Sequence, residues 1–461
     1  MAIDRDLRAA ISVTRFGLGA KPGEIAAARA DPEGFLAAQI RAEGADRPGA
    51  TPERTVERFE ALRAYQQDRA ADKRAGGEIS DARKMAGQAL RRDTGADFLA
   101  RVQLGAATPA GFRERWALFW ANHFTVSANK LATGALAGPF EAEAIRPGVF
   151  GRFEDLLAAS SRHPAMLIYL DQAKSIGPDS QAAKFRAGDS KQNGLNENLA
   201  REIMELHTVG VEAGYAQADV TEFARAMTGW SVNAGGGANE RDGSFQFREH
   251  AHEPGARTIM GKRYAQEGVE QARAVMKDLA ASPHTAHHLA LKIARHFVAD
   301  EPAPTLVARL RRAYLESDGQ LGEVARALIR SPEAWDPAPV KFKTPYEFMI
   351  SSWRAADVTP TDIAAISAVM TAMGQKPFSP PSPKGWPEEA QVWCAPDAVI
   401  KRMRWAEGYA SDVTGDRDPV KLADNALGAR LTPLVARTIA RAETRPEGFS
   451  ILLMSPEFQR R

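Results

Sequence analysis

The feature that most constrains this chain is the spacing of its apolar residues, which is helical almost throughout. Phe112, Trp116, Phe119, Trp120 and His123 recur at intervals of three and four, the signature of one helix face. Leu199, Ile203, Leu206 and Val209 repeat the pattern up to Gly210, a natural helix stop. Leu289, Ile293 and Phe297 do so again, and Phe348, Ile350 and Trp353 do so more loosely. Strand-like alternation is scarce. Its best instance is Ser244 to Phe247, followed after a His-rich loop by Thr258 to Tyr264, two segments suited to a small hairpin. The expected fold is therefore predominantly α, a multi-helix globular array with at most a small β-hairpin.

Composition narrows the function classes. Lys plus Arg is 60 against 58 Asp plus Glu, a net charge of +2, which argues against a nucleic-acid partner. A lone Cys394 excludes an intrachain disulfide framework and a Cys-rich zinc site. No run approaches the roughly 18 apolar residues of a membrane span. The N-terminus alternates charge where a signal peptide needs an apolar stretch of about 7–15 residues. The expected compartment is thus the cytoplasm, or an exported one reached with a signal-bearing partner. The chain 1–461 is expected to be one helical domain, with 65–94 a charged insertion or linker and 233–265 a Gly/His-rich loop holding the hairpin. Neither a phosphate loop, a His-Glu-x-x-His motif nor a Gly-x-Ser-x-Gly elbow occurs.

The densest polar run is Asn196-Glu197-Asn198-Leu199-Ala200-Arg201-Glu202-Ile203-Met204-Glu205-Leu206-His207. On a helix, Asn198, Glu202 and Glu205 share one stripe, and Glu197, Arg201 and Glu205 form a ladder. Such a ladder is either a solvated face or a set of carboxylates and amides able to bind a hard cation or act as acid and base. His123, set among aromatics, and His252, in the loop His250-Ala251-His252, are candidate metal ligands with packed or surface roles as the alternative. A divalent metal ion is the cofactor they would imply.

Taken together, the ordered segments resemble a bacterial family known as domain of unknown function 1800. They include Thr14-Arg15-Phe16-Gly17, Phe119 to Phe124, Pro164 to Asp171, Asn196 to Thr208, Tyr215 to Asp219 and Thr228-Gly229-Trp230. Further along stand His252 to Gly255, Lys343 to Phe348, Gly374-Gln375, Pro380 to Trp386, and Trp393. The resemblance implies a mostly helical protein, often encoded beside an exported sulfatase-like protein, and carries no established activity. The chain departs from the family pattern with Ala216 at a helix cap and Glu253 after the loop histidine, and the His207 position of that pattern accepts Phe.

Polar residues within these segments are numerous for pure packing: Asn122, His123, Asp171, Asn196, Glu197, Asn198, Glu202, His252, Lys343 and Gln375. Buried polar groups need partners, so such a set suggests one converging cluster, either a hydrogen-bond network or an active site. Two functions follow. The first is a hydrolase-like enzyme acting on a polar polymeric or sugar-derived substrate. Glu197, Glu202, Asp171, Asn196, Asn198 and Lys343 would be its catalytic set, and Trp120, Trp230, Trp386 and Gln375 its substrate contacts. His123 and His252 would hold the metal. The second is a non-enzymatic helical scaffold that binds the neighbour-encoded sulfatase-like protein.

Overall fold

Burial on every side, rather than on one stripe, marks the two helices that organise the molecule. The structure, a computed structural model, describes residues 4–49, 54–185, 194–233 and 243–461. Helix Gly111–His123 runs through the larger apolar cluster, with Phe112, Trp116, Phe119 and Trp120 buried on one side and Arg113, Glu114 and Arg115 buried on the other. Around it pack helices Phe153–Arg162, Gln217–Ala226, Pro283–Phe297, Pro304–Glu316 and Leu321–Arg330. Every residue of Pro345–Ala356 is buried, and this helix centres a second cluster with Asp81–Ala107, Pro396–Val413, Pro419–Leu427 and Arg445–Met454. A helix enclosed all round must satisfy its polar side chains internally.

Arginines perform that task. Arg354, inside the second cluster, donates from Nε to the Gly19 carbonyl at 2.7 Å and from Nη1 to Gly105 and Thr108 carbonyls at 2.9 and 2.8 Å, while Nη2 pairs with Glu24. Arg402 reaches the Lys343 carbonyl at 2.7 Å, and Arg461 reaches the His296 carbonyl at 2.6 Å. Arg146 bridges Glu114 and Glu141. Five fixed N–H donors suit guanidinium to buried carbonyls that would otherwise lack partners. These side chains therefore tie irregular segments to helices far away in sequence.

The described residues are predominantly α-helical, and their strands form two antiparallel pairs. The hairpin expectation needs correction in detail. Phe245–Phe247 pairs back onto Trp230–Val232, and Arg257–Ile259 pairs with Lys262–Tyr264, so the two expected segments do not pair with each other. Met260 and Gly261, both at positive φ, make the two-residue turn that a tight hairpin requires. Asp219 fixes this turn by accepting from Met260 N at 2.6 Å. It also accepts from Ala216 N at 2.7 Å, which retains half a capping box where Ala216 has no side-chain oxygen. The expected loop partly falls on 234–242, outside the described residues. Residues 65–94 lie in two helices and the turn between them. They make the tip of an antiparallel pair, Thr55–Arg74 with Asp81–Ala107, turning at Gly76 and Gly77.

Among the described residues, three π-helical turns interrupt the helices, at Ser12–Phe16, Glu141–Ile145 and Ile203–His207. Such turns widen the helix locally and redirect the side chains that follow. Among the described residues no helix is long and apolar enough to cross a membrane.

Candidate functional site

The polar run Asn196 to Glu205 fastens helix starts. Asn196 donates from Nδ2 to the Leu170 and Asp171 carbonyls, both at 3.3 Å, and accepts from Asn198 N at 2.8 Å. It thereby closes the end of Pro164–Tyr169, where Asp171 takes a left-handed φ of 56°, onto the start of the next helix. Asp171 itself faces solvent and pairs with Lys130 at 3.4 Å. Glu197 accepts from Thr221 at 2.7 Å, Gln217 at 2.8 Å and Arg201 at 3.0 Å, which latches its helix to Gln217–Ala226. The Thr221 hydroxyl, foremost among these, lowers the Glu197 pKa. Asn198 is exposed. Glu202 differs: it is half-buried, has no hydrogen-bond or ion-pair partner among the described residues, and its pKa is raised by burial and by Glu205. The Tyr169 phenol beside it is pushed up to about 12 by burial and by Glu202.

The C-terminal turn of Gly111–His123 leads inward. His123 is buried against Trp120, Phe124 and Phe153, with Nε2 3.2 Å from the His207 carbonyl and Nδ1 without a partner among the described residues. Burial holds its pKa well below the imidazole range and that of His207 down to about 3. His288, Lys292 and His296 follow at successive turns of Pro283–Phe297 on one face. His288 meets the Leu206 carbonyl at 3.0 Å, and Lys292, half-buried, has its pKa lowered to about 8, chiefly by desolvation. Trp120 and Trp230 have 0% exposure, so neither ring offers a face to a substrate; Trp120 packs on Phe119, and Trp230 packs edge-on against Phe245. His252 lies in a separate setting, its Nδ1 3.0 Å from the Thr228 carbonyl and its ring against Phe247. These contacts do not favour a shared metal. Among the described residues, no group of three or more His, Cys, Asp or Glu side chains is arranged to hold one.

Where the two apolar clusters meet lies a cavity of about 110 Å³. It is smaller than the roughly 150 Å³ engineered cavity that holds benzene, so it fits a small group rather than a whole sugar. Asn122 clamps one wall, accepting from Trp386 N at 2.7 Å and donating to its carbonyl at 3.0 Å. The approach is close enough to require Gly385, at φ +88°, because a Cβ there would lie 2.5 Å from the Asn122 carbonyl oxygen. Gln375 accepts from Tyr346 N at 2.7 Å, capping the buried helix Pro345–Ala356. The same helix carries the Thr344–Glu347 capping box, with Glu347 accepting from Thr344 N at 2.9 Å.

Charge converges on this cavity. Glu347 pairs with Arg115 and, at 3.1 Å, with Arg461. Burial works against its carboxylate, but the two guanidinium groups prevail and hold its pKa well below the usual range. Lys343 is buried beside it, donating to Ser351 at 2.9 Å and lying 3.9 Å from the Phe458 ring centroid. Its pKa falls well below the lysine range, first by desolvation and then by Arg430. Glu388 accepts from His296 Nδ1 at 2.8 Å; burial opposes its charge, yet His296 draws its pKa down to about 2. Desolvation outweighs Glu388 at the imidazole and keeps the His296 pKa below its ordinary value, while Nε2 is buried and partnerless among the described residues.

The residues singled out in the sequence are thus distributed rather than gathered. Gln375 and Trp386 line the cavity with Asn122, and Lys343 stands behind it. Asp171, Asn196, Glu197, Asn198 and Glu202 belong to the helix start, and His252 to its own loop. Sequence reasoning passed over Arg115, Glu347, Glu388 and Arg461. The one local signal was the Thr344-Pro345-Tyr346-Glu347 cap, which places Glu347 on the first turn of a helix.

These features define a helical protein with an ion-lined cavity where its two apolar clusters meet. The chain belongs to the family described as "Protein of unknown function (DUF1800)", whose model matches residues 11–460. No curated protein and no solved structure matches it.

Proposed function

We propose that the chamber is catalytic and that the protein is a hydrolase-like enzyme acting on a small polar group of a larger, polymeric or sugar-derived substrate. One observation carries this reading: a neutral imidazole on the cavity wall, oriented through Nδ1 by Glu388 at 2.8 Å, whose Nε2 lacks a partner among the described residues. A carboxylate on Nδ1 fixes the tautomer that leaves Nε2 as the base. Nε2 takes a proton from water, the water oxygen attacks the scissile centre, and the imidazolium returns that proton to the leaving group. General-base assistance of this kind is worth about 10²–10⁴-fold.

The test is turnover by wild type and His296→Gln on chromogenic glycosides, esters, phosphate esters and sulfate esters. Wild-type turnover of one class, lost by at least about 100-fold in a variant of unchanged Tm, is expected. If no class is turned over, or His296→Gln turns over like wild type, the reading is overturned. The scaffold alternative rests on a different observation, the complete engagement of Asn196 and Glu197 in helix-fastening bonds. It predicts co-purification with the neighbour-encoded sulfatase-like protein, weakened by Glu197→Ala.

A further inference from the structure

Two more cavities adjoin the chamber, of about 260 and 500 Å³, and Phe378 lines all three. The backbone holds this residue at φ +48°, a left-handed conformation that a bulky side chain rarely takes. Its carbonyl accepts from Ala128 N at 2.6 Å, its ring meets Phe98 edge-on at 5.1 Å, and the Arg101 guanidinium lies 5.5 Å from its centroid. Strain that surrounding contacts enforce tends to mark a working part of a protein. Here it sets one aromatic ring where the small chamber and the larger spaces beside it meet.

The walls on the two sides differ in charge. The chamber carries Glu141, Glu347 and Glu388 against its cations. The 500 Å³ cavity is lined by the exposed cations Arg91, Lys130 and Lys376, the last of which also lines the chamber, with Thr94 and Asn129 among its hydroxyl and amide groups, and no carboxylate occurs among the described residues lining it. The Lys376 side chain has no hydrogen-bond or ion-pair partner among the described residues, the residue's only bond being through the backbone carbonyl to Ser379 N. Among the described residues the Arg91 side chain donates only to the Gly87 carbonyl, at 3.3 Å. Lys130 has Asp171 at 3.4 Å, but both side chains are about half exposed, and such a pair yields readily to a competing anion. A concave site with three cations and neutral donors is suited to oxyanions.

We propose that this outer cavity binds an anionic oxygen group of the substrate, a carboxylate, sulfate or phosphate, and that Phe378 separates this anchor from the reacting group in the chamber. Calling the ligand a substrate rests on the catalytic reading above; the binding of the anion does not. The small chamber and large vestibule together explain how a cavity too small for a sugar serves a larger molecule.

The experiment is calorimetric titration of the whole protein with sodium sulfate, sodium phosphate and sodium glucuronate at constant ionic strength, with chloride as the balancing anion. Wild type, Arg91→Gln/Lys376→Gln and His296→Gln are compared after each shows the wild-type Tm. Saturable binding of one of the three anions, at least tenfold weaker in the double variant and unchanged in His296→Gln, is expected. The anion that binds identifies the class of group. Absence of binding by all three, or equal binding by the double variant, overturns the proposal. Loss of binding in His296→Gln also overturns it, by moving the anion into the chamber. If turnover proves indifferent to His296 while the double variant still loses the anion, the catalytic reading fails and the anion site stands.

Discussion

Two regions of this molecule are rich in carboxylates and cations, and they use them differently. Around Asn196 to Glu205 the groups lie near the surface, Asn196 answers a backbone end, and Glu197 is met by three donors. Around the chamber the groups are buried, Glu347 sits between Arg115 and Arg461, and His296 keeps a nitrogen without a partner among the described residues. Ion pairs at the surface contribute little, whereas a buried charge that loses its partner is costly. Density of polar residues in sequence therefore marks a fastening. The site of greatest electrostatic consequence is built from residues that stand singly in the chain.

The sharpest way to break this comparison is Glu347→Gln. It leaves Arg115 and Arg461 buried without their anion and is expected to cost about 3–5 kcal/mol in denaturant unfolding. A loss below about 1 kcal/mol would place the pair in the same class as the surface ladder. The next effect is a pH dependence. The unfolded chain protonates His207 below about pH 6.5, while the folded chain, whose His207 pKa is lowered to about 3, does not. Stability thus falls as pH drops from 6.5 toward 3, by about 1.4 kcal/mol per pH unit for this residue. His207→Phe, packed against Phe124 in the same way, is expected to flatten the fall in Tm between pH 7 and 5. An unaltered slope would show that other groups carry it.

The helices were legible because burial on one face leaves a period in the chain, and helix Gly111–His123 follows it closely. Its other face was not legible. Arg113, Glu114 and Arg115 are buried, and nothing local distinguishes a buried arginine from an exposed one. Arg115 meets Glu347 across 232 positions, and such a pairing leaves no spacing to read. Trp120 and Trp230 illustrate the converse error. A large aromatic suggests a stacking surface, but here each fills the core with its Nε1 unpartnered among the described residues. Gln375 and Trp386 reach the chamber because they lie in segments whose turns, not periodicity, position them.

Smaller effects sharpen the comparison within the surface region. Glu197→Ala removes the acceptor shared by Thr221, Gln217 and Arg201, all of which keep access to water. About 1 kcal/mol of stability is the expected loss, read by urea unfolding. A loss as large as that of Glu347→Gln would mean the latch is as critical as the chamber.

Glu202 is the exception in this region, and its substitution separates fastening from function. Its folded pKa is raised by burial and by Glu205, so the folded protein holds the proton more tightly than the unfolded chain does. The ionised form is therefore a liability at pH 7 that fades as pH falls through the raised value toward the unfolded one. Glu202→Gln removes the charge and is expected to raise Tm slightly at pH 7, with the gain disappearing near pH 4.5. A lowered Tm at pH 7 would instead assign Glu202 to the fastening network with Glu197. Turnover measured on the same variant locates the chemistry. If it is retained, the base is at His296; if it is lost while Tm rises, the reacting group belongs to the helix that begins at Asn198.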